Sequence, residues 1–131
     1  MGTRCLTVLH ESDGTEIAVL YRQFDGYPDG HGQELADFLK GKTVVNGIPG
    51  NIDESKIFNG ASCLAASIIA HFKNKVGGFY LHPAGTRDCW EDYIYHVRSK
   101  IGKEPEIEIE GEFAGPASEF NKFYEESEVA E

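Results

Sequence analysis

Twelve consecutive residues, Tyr21-Arg22-Gln23-Phe24-Asp25-Gly26-Tyr27-Pro28-Asp29-Gly30-His31-Gly32, gather an arginine, a histidine, two aspartates, three aromatics and three glycines. Asp25-Gly26, Tyr27-Pro28 and Asp29-Gly30 impose turns with fixed backbone angles. A rigid polar loop ahead of a helix is a common place to hold a polar or anionic ligand. Here Arg22 would supply charge, Tyr27 a stacking ring and His31 a hydrogen bond, with Asp25 as a further contact. The plainer alternative is a packed turn in which Arg22 only neutralises Asp25 or Asp29.

Other chemistry-bearing groups are scattered. His10, His31, His71, His82 and His96 share no metal-binding spacing. If the segments near 79–82 and 90–97 paired as a hairpin, His82 and His96 would be cross-strand neighbours, and with Asp92 they would resemble a two-histidine, one-carboxylate metal set. Hydrogen-bonded polar residues at strand ends explain them more simply, so neither a metal nor a cofactor is expected. Cys63 and Cys89 are the conceivable nucleophiles, with His31, His82 or His96 as base, yet no nucleophile elbow or protease signature surrounds them. Asp25/Asp29 and Glu91/Asp92 qualify as acid/base pairs by composition alone. Glycines offer more. Gly26, Gly30 and Gly32 precede one helical pattern, Asn59-Gly60 opens another, and Gly77-Gly78 leads into a strand. None is a Walker loop or a dinucleotide fingerprint. With Arg22 and Arg87 available, such entries suit an anionic small molecule, with Asn59 bonding at a helix entry and Tyr21, Tyr27, Tyr80 and Trp90 available for stacking.

These groups need positioning elements. Arg4 to His10 and Glu16 to Arg22 have strand composition, and Asp13-Gly14 between them carries a hairpin signal. From Gln33, Leu35, Ala36, Phe38 and Leu39 fall on one helical stripe, with Gly41 as a stop. Residues 43–58 lack a sustained period and read as a long ordered loop, with a short extended piece at 43–45. The second helix runs from Asn59, its expected N-cap, to about Asn74. Strands follow at 79–82, 90–98 and 105–111. The last alternates acid and apolar residues and suits a half-exposed strand at a sheet edge. Ala117 to Tyr124 reads as a terminal helix through Phe120, Phe123 and Tyr124. The expected fold class is α+β: an antiparallel sheet in ββααβββ order, plus a C-terminal helix, with helices packed on one face. Residues 1–118 form one α+β domain, and 119–131 an acidic tail, helical at its start and then disordered.

Totals narrow the function. A chain of 131 residues suits one domain. Three widely spaced cysteines make neither a disulfide framework nor a zinc spacing. No apolar run approaches a membrane span, and the N-terminus has neither a secretory nor a good myristoylation pattern, so a cytoplasmic location is expected. A net charge of −10 argues against direct contact with nucleic acid or an anionic membrane. From Glu119 to Glu131, five Glu and one Lys supply −4 of that charge, leaving −6 to the rest.

The N-terminal Met1-Gly2-Thr3-Arg4, the Tyr21–Pro28 loop with Gly30-His31-Gly32, and later Asn59-Gly60, Ala65-Ala66, Ala70-His71-Phe72 and Gly77-Gly78-Phe79-Tyr80-Leu81 resemble a family of small uncharacterised proteins of phages, prophages and bacteria. The resemblance spans about residues 1–97 and brings no established activity or catalytic residue. It implies a small accessory protein, viral in context, and in that case the host cell cytoplasm.

Three functions are then expected, in order. The first is non-enzymatic binding of a small polar, nucleotide-like ligand through Arg22, Asp25, Tyr27, His31, Asn59 and Tyr80, sequestering a host immune signalling nucleotide. The second is an acidic inhibitor of a host defence protein, anti-CRISPR-like, acting through the tail and Glu106, Glu108 and Glu110. The third is a small nucleotide hydrolase using His31 with Asp25 or Asp29. A homo-oligomer is expected if the pocket is open in so small a domain.

Overall fold

The first hairpin forms where its composition places it. In a computed structural model, which describes residues 2–48 and 50–120, β1 (Cys5–His10) and β2 (Glu16–Arg22) pair antiparallel across a turn at Gly14, whose φ is +94°. A register shift between Leu9 and His10 bends the end of β1. Next come α1 (Gln33–Leu39), β3 (Thr43–Val45), β4 (Ile57–Asn59) and α2 (Gly60–Phe72). β5 (Phe79–Pro83), β6 (Tyr93–Arg98), β7 (Glu106–Ile109) and β8 (Phe113–Pro116) complete the described chain, followed by a 3₁₀ turn at Ala117–Glu119. The fold is α+β: a six-stranded sheet ordered β5-β2-β1-β6-β7-β8, antiparallel except for the β1–β6 pair.

Strand alternation divides the buried residues between two faces. On one, Cys5, Leu9, Leu20, Tyr95, Val97, Ile107 and Ile109 pack against Leu35, Ala36 and Leu39 of α1 and Leu64, Ile68 and Phe72 of α2. Both helices therefore cover this face, and each large apolar side chain fully buried there contributes about 2 kcal/mol. Gly41, at φ +76°, ends α1 in the left-handed conformation that glycine favours. On the other face Leu6, Val8 and Val19 pack with Tyr21, Ile94 and Cys89. Cys89 belongs to the connection from β5 to β6, which must pass β2 and β1 to reach its strand. A salt bridge from Arg87 to Glu16 at 2.8 Å and a bond from the Arg4 amide to Asp92 at 3.0 Å tie this connection down.

Four sequence expectations change. β5 and β6 do not form a hairpin; β5 pairs with β2 at the sheet edge and β6 enters beside β1. The acid/apolar strand β7 is internal, because Phe113–Pro116 pairs outside it as β8. The long segment after α1 contains two short parallel strands, Val44 opposite Phe58, since both residues bury their side chains under the helices. The strand expected from residue 90 starts at Tyr93, after positive φ angles at Asp88 and Trp90. Phe123, Tyr124 and most of the acidic tail lie outside the described residues.

Candidate functional site

Arg22 closes β2 with its side chain on the helix-covered face, opposite Phe79 of β5. Its guanidinium lies 4.9 Å from the Phe79 ring centroid and 5.9 Å from that of Phe72, with only 11% of the side chain exposed. Charge this deeply placed needs partners. Glu34, in the first turn of α1, takes both ends of the fork, at 3.0 Å from Nη1 and 3.3 Å from Nη2. Asp25 stands farther off, at 3.9 Å. The turn expectation thus named a secondary partner, and the main one comes from the following helix.

Behind the arginine, Nη1 donates to Nδ1 of His31 at 3.2 Å, and Nε2 of His31 lies 2.7 Å from the Thr7 hydroxyl. An arginine only donates, so Nδ1 accepts and the ring proton sits on Nε2, donated to Thr7. His31 is completely buried, and burial together with the Arg22 charge pushes its pKa down to about 3. It is a neutral strut under Arg22, enclosed by the rings of Phe72 and Tyr95. Access to a ligand and service as a general base are both closed to it in this arrangement.

The turn holds this stack in place. Pro28–Gly32 makes a single π-type turn running into α1. The His31 amide donates to the Asp25 carbonyl at 2.9 Å, the Gly26 amide to Thr3 at 2.9 Å, and the buried Tyr95 hydroxyl to the Gly26 carbonyl at 2.8 Å. A Cβ on Gly30 would lie 2.7 Å from the Asp25 carbonyl oxygen and 2.8 Å from the Tyr27 ring, so glycine is required there.

A cleft of about 640 Å³ opens over Arg22, walled by Glu34, His71, Phe72, Asn74, Lys75 and Phe79. A smaller one of about 190 Å³ shares Arg22, Lys75 and Phe79 and adds Phe24, Asp25 and Gly78. The segment after α2 shapes both, because Lys73 Nζ donates to the carbonyls of Gly77 and Phe79 at 3.1 and 3.0 Å. The Gln23 amide also donates to Gly78 at 2.8 Å, prolonging the β2–β5 ladder to the cleft edge. Exposed Lys75 stands at the rim.

The residues singled out in the sequence therefore separate. Arg22 lines both clefts and Asp25 the smaller one; His31 lies beneath them. Tyr27 is 38% exposed on the turn, its hydroxyl 3.4 Å from Asp25, and lines neither cleft. Asn59 stands at the N-cap position of α2, as expected, but its side chain makes no capping bond. Its Oδ1 accepts from the Gly47 amide at 2.8 Å and fixes the end of β3, away from Arg22. Tyr80 projects from the opposite face of the sheet, against Tyr21. Arg87 is committed to Glu16 on that face, and Trp90 stands 85% exposed on the connection there. His82 packs edge-on against Tyr21, whereas His96 bonds His10, so the conditional His82–His96 pairing does not form. Among the described residues no His, Cys, Asp and Glu group is arranged to hold a metal. The Cys5 thiol, wholly buried, is pushed up to about 12 by that burial. Burial, then Glu91 and Asp88, also raises Cys89.

Sequence reasoning missed Glu34, Phe72, Asn74, Lys75 and Phe79. The available signal was Lys73 to Phe79, a cation- and glycine-rich exit from α2 that had to return beside Arg22. No helix among the described residues is long and apolar enough to cross a membrane. Compared with protein-family models, curated proteins and solved structures, the chain matches none.

Proposed function

We propose that the Arg22 cleft binds a small anionic ligand carrying a planar ring, nucleotide-like in size and chemistry, and holds it without turnover. The observation carrying this reading is a largely buried guanidinium, lodged between Phe72 and Phe79, at the floor of a cleft of about 640 Å³. That volume lies in the range of small-molecule sites. Phe79 and His71 offer ring faces, Asn74 offers donors and an acceptor, and Lys75 offers a mobile charge for phosphate. Glu34, half-exposed beside Arg22, accepts from a sugar hydroxyl or a base N–H. Turnover through His31, the base that the sequence suggested, is left out because that histidine is locked neutral beneath Arg22, and His71 enters the reading as a cleft wall that offers a ring face. In an accessory protein of a phage, such binding would sequester a host signalling nucleotide in the cytoplasm.

The inhibitor alternative draws on Glu106, Glu108 and Glu110. Glu108 is bonded to Arg98 and Glu110 to His96, so this row offers less unpaired charge than its sequence suggests. The cleft reading is preferred on that ground.

The test is native mass spectrometry of the protein from its expression host and after incubation with a nucleotide panel, with any released ligand analysed. An intact nucleotide and an affinity about three- to tenfold weaker in Lys75→Ala are expected, the loss of one exposed charge-assisted contact. Unchanged affinity in that variant would remove the cleft assignment. Recovery of hydrolysis products would replace binding with catalysis.

A further inference from the structure

On the face of the sheet away from the cleft, two histidines and a glutamate form a chain independent of the ligand reading. His10 Nδ1 lies 2.9 Å from the Gly14 carbonyl, His10 Nε2 lies 2.8 Å from His96 Nδ1, and His96 Nε2 lies 2.6 Å from Glu110 Oε2. Both histidines are buried, each 6% exposed, while the Glu110 side chain is half-exposed.

Hydrogen-bond direction fixes the proton count. The Gly14 carbonyl can only accept, so His10 Nδ1 carries a proton and Nε2 is an acceptor. The contact between the rings then requires a proton on His96 Nδ1. At the far end an ionised carboxylate also only accepts, which requires a proton on His96 Nε2. Four ring nitrogens thus hold three protons, one more than two neutral imidazoles carry. The excess resides on His96, between a neutral imidazole and a carboxylate. Ordinary carboxylates give up protons about two pH units below imidazoles, so Glu110 is the anion and His96 the cation. At 2.6 Å the contact is short even beside charge-assisted N–H···O bonds, which run about 2.7–2.9 Å.

We propose that His10, His96 and Glu110 are a proton-loaded latch, in which one shared proton pins the end of the β1–β2 hairpin to β6 and, through Glu110, to the β7–β8 turn. When His96 gives up its Nδ1 proton and keeps the one bonded to Glu110, two lone pairs face each other across 2.8 Å and the turn must move. The moving part is defined: Glu11, Ser12 and Gly14 of the turn face Arg98, Ser99 and Lys100 across a cleft of about 190 Å³. Other charges near the chain are matched. Glu16, opposite His10 in β2, is bridged to Arg87 of the β5–β6 connection, and Glu108, opposite His96 in β7, is bonded to Arg98 of β6. Burial lowers the pKa of His10, with the charges of Arg98 and His96 acting in the same direction, which agrees with placing the charge on His96.

Ring-nitrogen NMR on the full chain at neutral pH reads the proton count directly. Two protonated nitrogens on His96 and one, Nδ1, on His10 are expected. Raising the pH should then shift the His96 ring and the amides of residues 11–15 together. In Glu110→Gln, which removes the balancing charge, His96 should bind its second proton about tenfold more weakly or worse. A neutral His96 ring in the wild type at neutral pH would overturn the latch. So would turn amides that do not follow the ring, or proton binding unchanged in Glu110→Gln.

Discussion

The two faces of the sheet solve the same problem with different cations. On the helix-covered face a buried histidine lies between Thr7 and Arg22, and the chain ends on Glu34. On the other face buried histidines lie between Gly14 and Glu110, with no arginine in the chain. Arginine keeps its charge at every physiological pH, so His31 beside it stays neutral. With no arginine in the chain, the imidazole carries the charge in contact with the glutamate, and Arg87 acts on Glu110 only from farther off. The first arrangement is a fixed electrostatic floor suited to a ligand site. The second depends on solution pH.

The largest expected effect comes from removing the fixed cation. Arg22→Leu leaves the His31 Nδ1 and Glu34 without their donor, and urea unfolding should show a loss of about 3 kcal/mol. Glu34→Gln should cost about 1 kcal/mol, because its half-exposed side chain can be hydrated. Equal losses in the two variants would mean that His31 and the aromatic sandwich contribute nothing to holding Arg22.

Acid should act on His31 in a definite direction. Its folded pKa, about 3, lies below the 6.5 of an unperturbed imidazole. Between these values the unfolded chain binds more protons, so stability is full above pH about 6.5 and falls as pH drops toward 3. His31→Gln should show a shallower loss over that range in pH-dependent melting. An equally steep one would assign the acid sensitivity to the carboxylates.

Gly30→Ala should destabilise by about 2 kcal/mol, because the Asp25 carbonyl or the Tyr27 ring must shift to admit a methyl group. A change within 0.5 kcal/mol would show that the turn tolerates displacement. On the opposite face, Glu16→Gln weakens one partly exposed pair with Arg87 and should cost less than about 1 kcal/mol. Lys75→Ala, at the cleft rim, should leave stability within about 0.5 kcal/mol while weakening ligand binding.

Local signals were legible where the deciding contacts are local. The β1–β2 hairpin, the stripe of α1 and the apolar face of α2 follow from alternation, Asp13-Gly14 and helical spacing. Position in the sheet was not. Nothing near β5 records that it pairs with β2, or near β6 that it joins β1 in parallel, since both choices rest on packing across distant segments. Displacement of β7 from the edge likewise depends on Phe113–Pro116, whose glycine and proline read as a loop.

The site shows the same division. Arg22 was legible as a charge that must be held, and the dense turn as the element holding it. His31 was misread as accessible because sequence does not reveal that Thr7, Phe72 and Tyr95 close around it. Asn59 has an N-cap sequence position, yet Gly47 competes successfully for its side chain.

The most direct measurement is an amide chemical-shift titration of the full chain with a mononucleotide panel. Binding at the Arg22 cleft should perturb residues 71–79 together with 22–25 and Glu34, leaving the His10–His96 corner unmoved. Shifts confined to the opposite face, or a saturating ligand that leaves Lys75 and Phe79 unchanged, would contradict the assignment of this cleft as the binding site.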